Sequence, residues 1–139
     1  MIERVLVPMD ESETAERALR HALEAHPEAA ITVLHVVGEP SGMMGAAASL
    51  ALEDDVEQAG EDAAGDLFSR ADEIAAEYDA TVATEVGWGT PAKEIRRLAE
   101  EVDVVVIGAH TGGVAERLFV GNVAKRVIQH SPVPVTVVR

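Results

Sequence analysis

Apolar residues recur along the chain at two alternating periods. ERVLVP, AITVLHVV, TVATEV, VDVVVIG and PVPVTVVR are short, nearly continuous runs with the β-branched content of buried strands. Between them the apolar positions fall at helical spacing. Ser12 caps a helix whose inward stripe is Ala15, Ala18, Leu19, Ala22 and Leu23. A long helix is predicted from about Asp55 to Tyr78, with Val56, Ala59, Ala63, Leu67, Ala71, Ile74 and Tyr78 inward. Thr90 and Pro91 open a third, with Ile95, Leu98, Ala99 and Val102 inward, and a fourth covers about Asn122 to Gln129. Gly, Pro and Ser break GEPSGMMGAAASLALEDD, which reads as a surface segment leading into the long helix; its Met43 and Met44 suit an adaptable contact surface or a loose loop.

This alternation predicts an α/β fold. We expect one domain over residues 1–139, a Rossmann-like three-layer sandwich of a five-stranded parallel sheet and four main helices. Such sheets bind ligands at the carboxyl ends of their strands, where the winding reverses. Two loops there are chemically unusual: PMDES after strand one, and the glycine-rich GAHTGG to GN after strand four. They share a ligand if strands one and four are neighbours, as in the order 3-2-1-4-5. The order 2-1-3-4-5 would instead pair Asp10 with the GWG turn, and the residues alone leave both open.

Composition narrows the functional classes. The net charge is −14, with 25 acidic residues against 11 Lys and Arg, which disfavours nucleic acid and anionic membranes as partners. Lysine occurs only at Lys93 and Lys125, and the acidic, Ala- and Val-rich bias resembles that of proteins from salt-loving cells. Cysteine is absent, which removes disulfides, thiolate zinc sites and cysteine nucleophiles. No stretch of about 18 uninterrupted apolar residues occurs and the N-terminus runs straight into a strand, so neither a membrane span nor a signal peptide is expected, and the expected location is the cytoplasm. The histidines lack metal-ligand spacing, so no protein metal site is expected. His35, inside strand two, reads as a neutral ring satisfied by one hydrogen bond.

Several motifs fail on inspection. Gly108 to Gly113 matches the first half of a phosphate-binding loop, but Val114 and Ala115 stand where its lysine and hydroxyl belong. GWGTPA fits a dinucleotide turn, yet Asp103 begins the next strand instead of ending it, so the segment reads as a tight turn before a proline-led helix. Trp88 in that turn is expected to pack. A phosphoacceptor receiver domain would need an aspartate ending strand three and a lysine before the last proline; strand three ends at Val86 and Gly87, and SPVP has no lysine. Nucleophile-elbow and serine-lysine motifs are missing.

VLVPMDESETAERAL, VLHVV, GTPAKEI, DVVVIG and GNVAKRVIQHSPVPVTVV, in that order and spacing, resemble the universal stress protein family over nearly the full length. The resemblance implies a sheet of order 3-2-1-4-5, a dimer and, in one branch of the family, an ATP site. That branch carries glycine, two residues, glycine, nine residues, glycine, then serine or threonine. Here Gly108 and Gly121 keep the spacing, while Thr111 and Asn122 replace the second glycine and the hydroxyl. A β-branched threonine resists the backbone freedom of glycine, although Gly112 follows at once. Asn122 remains a good helix N-cap and an amide donor.

By position, the resemblance puts the adenine and ribose end at Pro8, Asp10 and Val36, with Ile107 at the strand end. The phosphate end falls on Gly108, Thr111, Gly112, Gly121, Asn122 and Val123, and His110 sits in the same loop, suited to touching a phosphate or capping the turn. Asp10 suits either a hydrogen bond from the nucleoside or an Asx turn at the strand-to-helix corner. Arg117 suits a polyphosphate or a surface pair with Glu116.

The expected function is therefore a stress-response or signalling protein binding ATP or another adenine nucleotide, with magnesium arriving only alongside it. No residue is placed to drive fast hydrolysis, so no enzymatic activity beyond slow turnover is expected. The alternative is a homodimeric interaction module whose degenerate loop binds no nucleotide. The apolar C-terminal strand, residues 134–138, is last in the implied order and invites pairing with a second copy.

Overall fold

Five β-branched runs pair side by side, all parallel, in the order β3-β2-β1-β4-β5. The computed structural model describes residues 1–37, 53–109 and 122–139. In chain order its elements are β1 (Arg4–Pro8), α1 (Glu13–Ala25), β2 (Ala30–Val37), α2 (Glu53–Ala76), β3 (Ala83–Trp88), α3 (Pro91–Ala99), β4 (Val104–Gly108), α4 (Asn122–His130) and β5 (Val135–Val138). Strands one and four are neighbours, with Val5 opposite Val104 and Leu6 opposite Val105, which excludes the order 2-1-3-4-5.

The alternation of each strand sorts its side chains into two cores. Val5, Val7, Ile31, Val33, Val104 and Val106 face α1 and α2. Leu6, Leu34, Val105 and Ile107 face α3 and α4. The chain winds outward from β1 to β3, then crosses back to β4, and right-handed crossovers place the second helix pair on the opposite face. The winding therefore reverses between β1 and β4.

Local chemistry sets the boundaries. Ser12 Oγ accepts from the Ala15 N–H at 3.1 Å and caps α1, whose expected inward stripe is buried throughout. Helical structure in α2 stops at Ala76, two residues before the expected end. There Asp79 takes a left-handed φ of 54°, its N–H donates to Ala76 C=O, and the Ala80 N–H donates to Ala75 C=O. Strand β3 runs two residues beyond Val86, through Gly87 and Trp88, and the turn falls at Gly89, with φ 107°. Gly87 sits opposite Val36 and Trp88 opposite Val37, so pairing with β2 carries the strand onward. Trp88 is left 44% exposed at the end of an edge strand and is not the packed residue expected.

Candidate functional site

At the reversal point the strands end and, among the described residues, no helix runs across their carboxyl ends, leaving a cavity of about 220 Å³. Pro8, Met9 and Asp10 reach it from β1 and its exit, Leu34, His35 and Val36 from β2, and Ile107 and Gly108 from β4. Ala15, Pro91, Ile95 and Val123 close it from the N-terminal halves of α1, α3 and α4.

Six of the eleven expected site residues thus line one cavity: Pro8, Asp10, Val36, Ile107, Gly108 and Val123. Asn122 is the first residue of α4, next to Val123. His110, Thr111, Gly112 and Gly121 lie outside the described residues, as do Arg117, Met43 and Met44. Met9, Ala15, Leu34, His35, Pro91 and Ile95 line the cavity without having been expected there. Every helix in this fold starts at the carboxyl edge of the sheet, so the N-terminal half of α3 was a legible signal for Pro91 and Ile95.

The walls are mostly aliphatic, with few polar groups. Asp10 Oδ1 accepts from the Ser12 N–H at 2.9 Å, an Asx turn that aims the chain into α1. The His35 ring nitrogen Nδ1 lies 3.0 Å from the Met9 carbonyl; a carbonyl only accepts, so Nδ1 carries the hydrogen. The ring thereby ties β2 to the exit of β1, the structural role expected of it. The Met9 N–H donates to Leu34 C=O at 2.8 Å and ends the pairing of β1 with β2. Main-chain groups of a parallel strand face the same neighbour every second residue. Those of Val36 therefore point over the end of β1, toward the cavity.

Gly108 is required by its neighbour. A Cβ there would lie 2.7 Å from the Thr14 carbonyl oxygen and 2.8 Å from its carbonyl carbon. The first turn of α1 thus packs directly on the main chain at the end of β4.

Asp103 lies at the amino end of the sheet, across the molecule from the cavity. Its Oδ2 accepts from the main-chain N–H groups of Glu3 at 2.9 Å and Arg4 at 3.0 Å, which hold its carboxyl below the ordinary value. This clamp on the start of β1 agrees with rejecting Asp103 as a ribose ligand. Among the described residues, no three His, Asp or Glu side chains stand together as a metal site.

The universal stress protein family model matches residues 1–139. The chain belongs to this family. Universal stress protein MJ0531 of Methanocaldococcus jannaschii is 29% identical over 146 residues, spanning 100% of this chain and 83% of its own. Universal stress protein MJ0577 of the same organism is 30% identical over 155 residues, spanning 100% and 96%. A solved universal stress protein in complex with cAMP has a TM-score of 0.72 at 25% identity, covering 99% of this chain and 97% of that one. In this universal stress protein the reversal point of the sheet, between β1 and β4, coincides with the cavity.

Proposed function

We propose that this chain binds an adenine nucleotide in the cavity between β1 and β4 without hydrolysing it efficiently, and works as a stress-response protein with residues 1–139 as one domain. One observation carries the reading: aliphatic walls and a few directed polar groups converge where the winding of the sheet reverses. The cAMP complex in the same family supports the ligand class.

The roles follow from chemistry. Leu34, Val36, Ile95, Ile107 and Val123 give a flat base its apolar walls. The Val36 N–H and C=O match the acceptor and amino donor on adjacent positions of adenine. The Asp10 carboxylate accepts from a ribose hydroxyl. Gly108 and the first turn of α4 at Asn122 and Val123 offer main chain and free N–H groups to phosphate, with Thr111, Gly112, Gly121 and His110 completing that end. Magnesium enters only with a polyphosphate.

We also propose a homodimer through β5, built on residues 134–138. Among the described residues β5 is an edge strand with β4 as its one neighbour. Val137 is 38% exposed on the strand and Ile128 53% exposed on the neighbouring α4, an apolar margin suited to a second copy.

Calorimetric titration with AMP, and with ATP plus magnesium, tests the nucleotide reading, alongside assay of the supernatant after denaturing the purified protein. Binding is expected, and Val123→Phe, which fills the cavity from a half-buried position, is expected to weaken it at least about tenfold. No heat with either nucleotide and no released nucleotide would leave the second reading, an interaction module that works through protein contacts alone. The replacements Thr111 and Asn122 are what favour that alternative.

A further inference from the structure

We propose that nucleotide in the cavity tightens the association of two copies through β5, by way of the hydrogen bond from the Ala109 N–H to the Val138 carbonyl. The inference rests on both parts of the reading above, the nucleotide site and the β5 dimer.

β5 has four residues, paired with β4 from Val105 opposite Val135 to Gly108 opposite Val138. Two main-chain bonds bracket that pairing. The Val105 N–H donates to Pro134 C=O at 3.0 Å at the start, and the Ala109 N–H to Val138 C=O at 2.8 Å at the end. Only the second lies beside the cavity, because Gly108 lines it. Gly108 is pressed against the Thr14 carbonyl, so its main chain has little room to shift toward α1.

A short strand with a single neighbour opens from its ends at less free energy than the core requires. Here the end is Val138, half-buried against the α1 side of the core, next to the exposed Val137. When Val138 opens, the edge offered to a second copy shortens and Val137 leaves its register. A ligand seated against Ile107 and Gly108 favours the state in which the chain continues the line of β4 through Ala109. In that state the Ala109 N–H is aimed at Val138, and the full edge of β5 is held. Thermodynamic reciprocity then requires the dimer to bind nucleotide more tightly than the monomer; with one site per copy, the change in the dimer constant is the product of the two per-site factors.

The test is sedimentation of the full chain across a dilution series, with and without saturating AMP, paired with AMP calorimetry above and below the dimer constant. Saturating AMP is expected to tighten the dimer about tenfold, within the usual coupling range of about 5–150-fold. Ala109→Pro removes the donor and is expected to keep AMP binding, to dimerise no more tightly than the AMP-free protein, and to bring the coupling close to one. Should that variant not fold, amide exchange at Ala109 in the unaltered protein replaces it, with slower exchange expected on adding AMP. A chain that binds AMP and dimerises, yet shows one dimer constant with and without AMP, overturns the linkage alone; so does unchanged exchange at Ala109. Absence of AMP heat overturns the nucleotide reading and the linkage with it, and a monomer at every concentration does the same for the β5 reading.

Discussion

On one face of the sheet, α1 and α2 run for 13 and 24 residues, and α1 is joined to the last turns of α2 and the two residues that follow it. Glu16 pairs with Arg70 at 2.9 Å, Arg20 with Glu77, and the Tyr78 hydroxyl donates to Glu24 at 2.8 Å. Glu16, Arg20 and Glu24 follow one another at four-residue steps down one side of α1. On the other face α3 and α4 have nine residues each, and Arg97 pairs within α3, with Glu94 at 2.7 Å. Among the described residues no ion pair joins α3 to α4. The strands send aliphatic side chains to both faces, but among the described residues only the longer pair of helices is joined by ion pairs. Most of the helix-borne walls of the cavity, Pro91, Ile95 and Val123, thus lie on the face opposite the ion-paired helices, with Ala15 of α1 the exception.

Truncating one core residue on each face puts the largest effect on this contrast. Leu19 on α1 and Ile95 on α3 are both buried. Leu19→Ala and Ile95→Ala are each expected to lower unfolding free energy by about 2–5 kcal/mol in urea titration. Only Ile95 lines the cavity, so only its truncation is expected to weaken AMP binding as well. Equal loss of AMP affinity in both variants would break the division of labour between the layers.

Two glycines sharpen the comparison at smaller cost. A Cβ on Gly108 meets the Thr14 main chain at 2.7 Å, a helix turn that cannot swing aside. A Cβ on Gly87 meets the Glu94 side chain at 3.3 Å, which has rotatable bonds to give. Gly108→Ala is expected to destabilise by about 1–3 kcal/mol, and Gly87→Ala by less than about 1 kcal/mol. The two denaturation midpoints measure the rigidity of the α1 layer against that of the α3 layer. Similar midpoints would mean the two layers yield equally.

These residues also show what was legible beforehand. The apolar runs and the inward stripe of α1 were readable because a strand or helix has one period and a buried face must follow it. Strand order was not readable from period, since the same βα units suit two orders; the family resemblance, carried by motifs from VLVPMD to the last strand, supplied it. Pro8, Asp10, Val36, Ile107, Gly108 and Val123 came the same way and do share a cavity. The end of β3 was misread because glycine usually marks a turn, whereas here pairing to β2 extends the strand through Gly87 and Trp88. The contact of Gly108 with Thr14 spans 94 positions of sequence, and no local pattern announces it.

The clamp at Asp103 gives the smallest expected effect, at the end of the sheet farthest from the cavity. Its carboxyl is held below the ordinary value, first by the Glu3 N–H and then by the Arg4 N–H. A depressed carboxyl favours the folded state wherever it is ionised there. That contribution is complete above the unfolded value of about 3.9 and is lost as pH falls through the lower folded value. Glu77, lowered by its bond to Arg20, adds a contribution of the same sign, so acid sensitivity of the whole protein does not isolate Asp103. The difference between the protein and Asp103→Asn does. The variant is expected to melt a few degrees lower at pH 7, with the gap closing below about pH 4 as the native carboxylate takes up its proton. Because the clamp joins β1 to β4 at the end opposite the cavity, the same substitution is expected to leave AMP affinity within about twofold. A larger loss would mean that the position of β1 against β4 is transmitted along the whole pair of strands, and that the two ends of the sheet do not act separately.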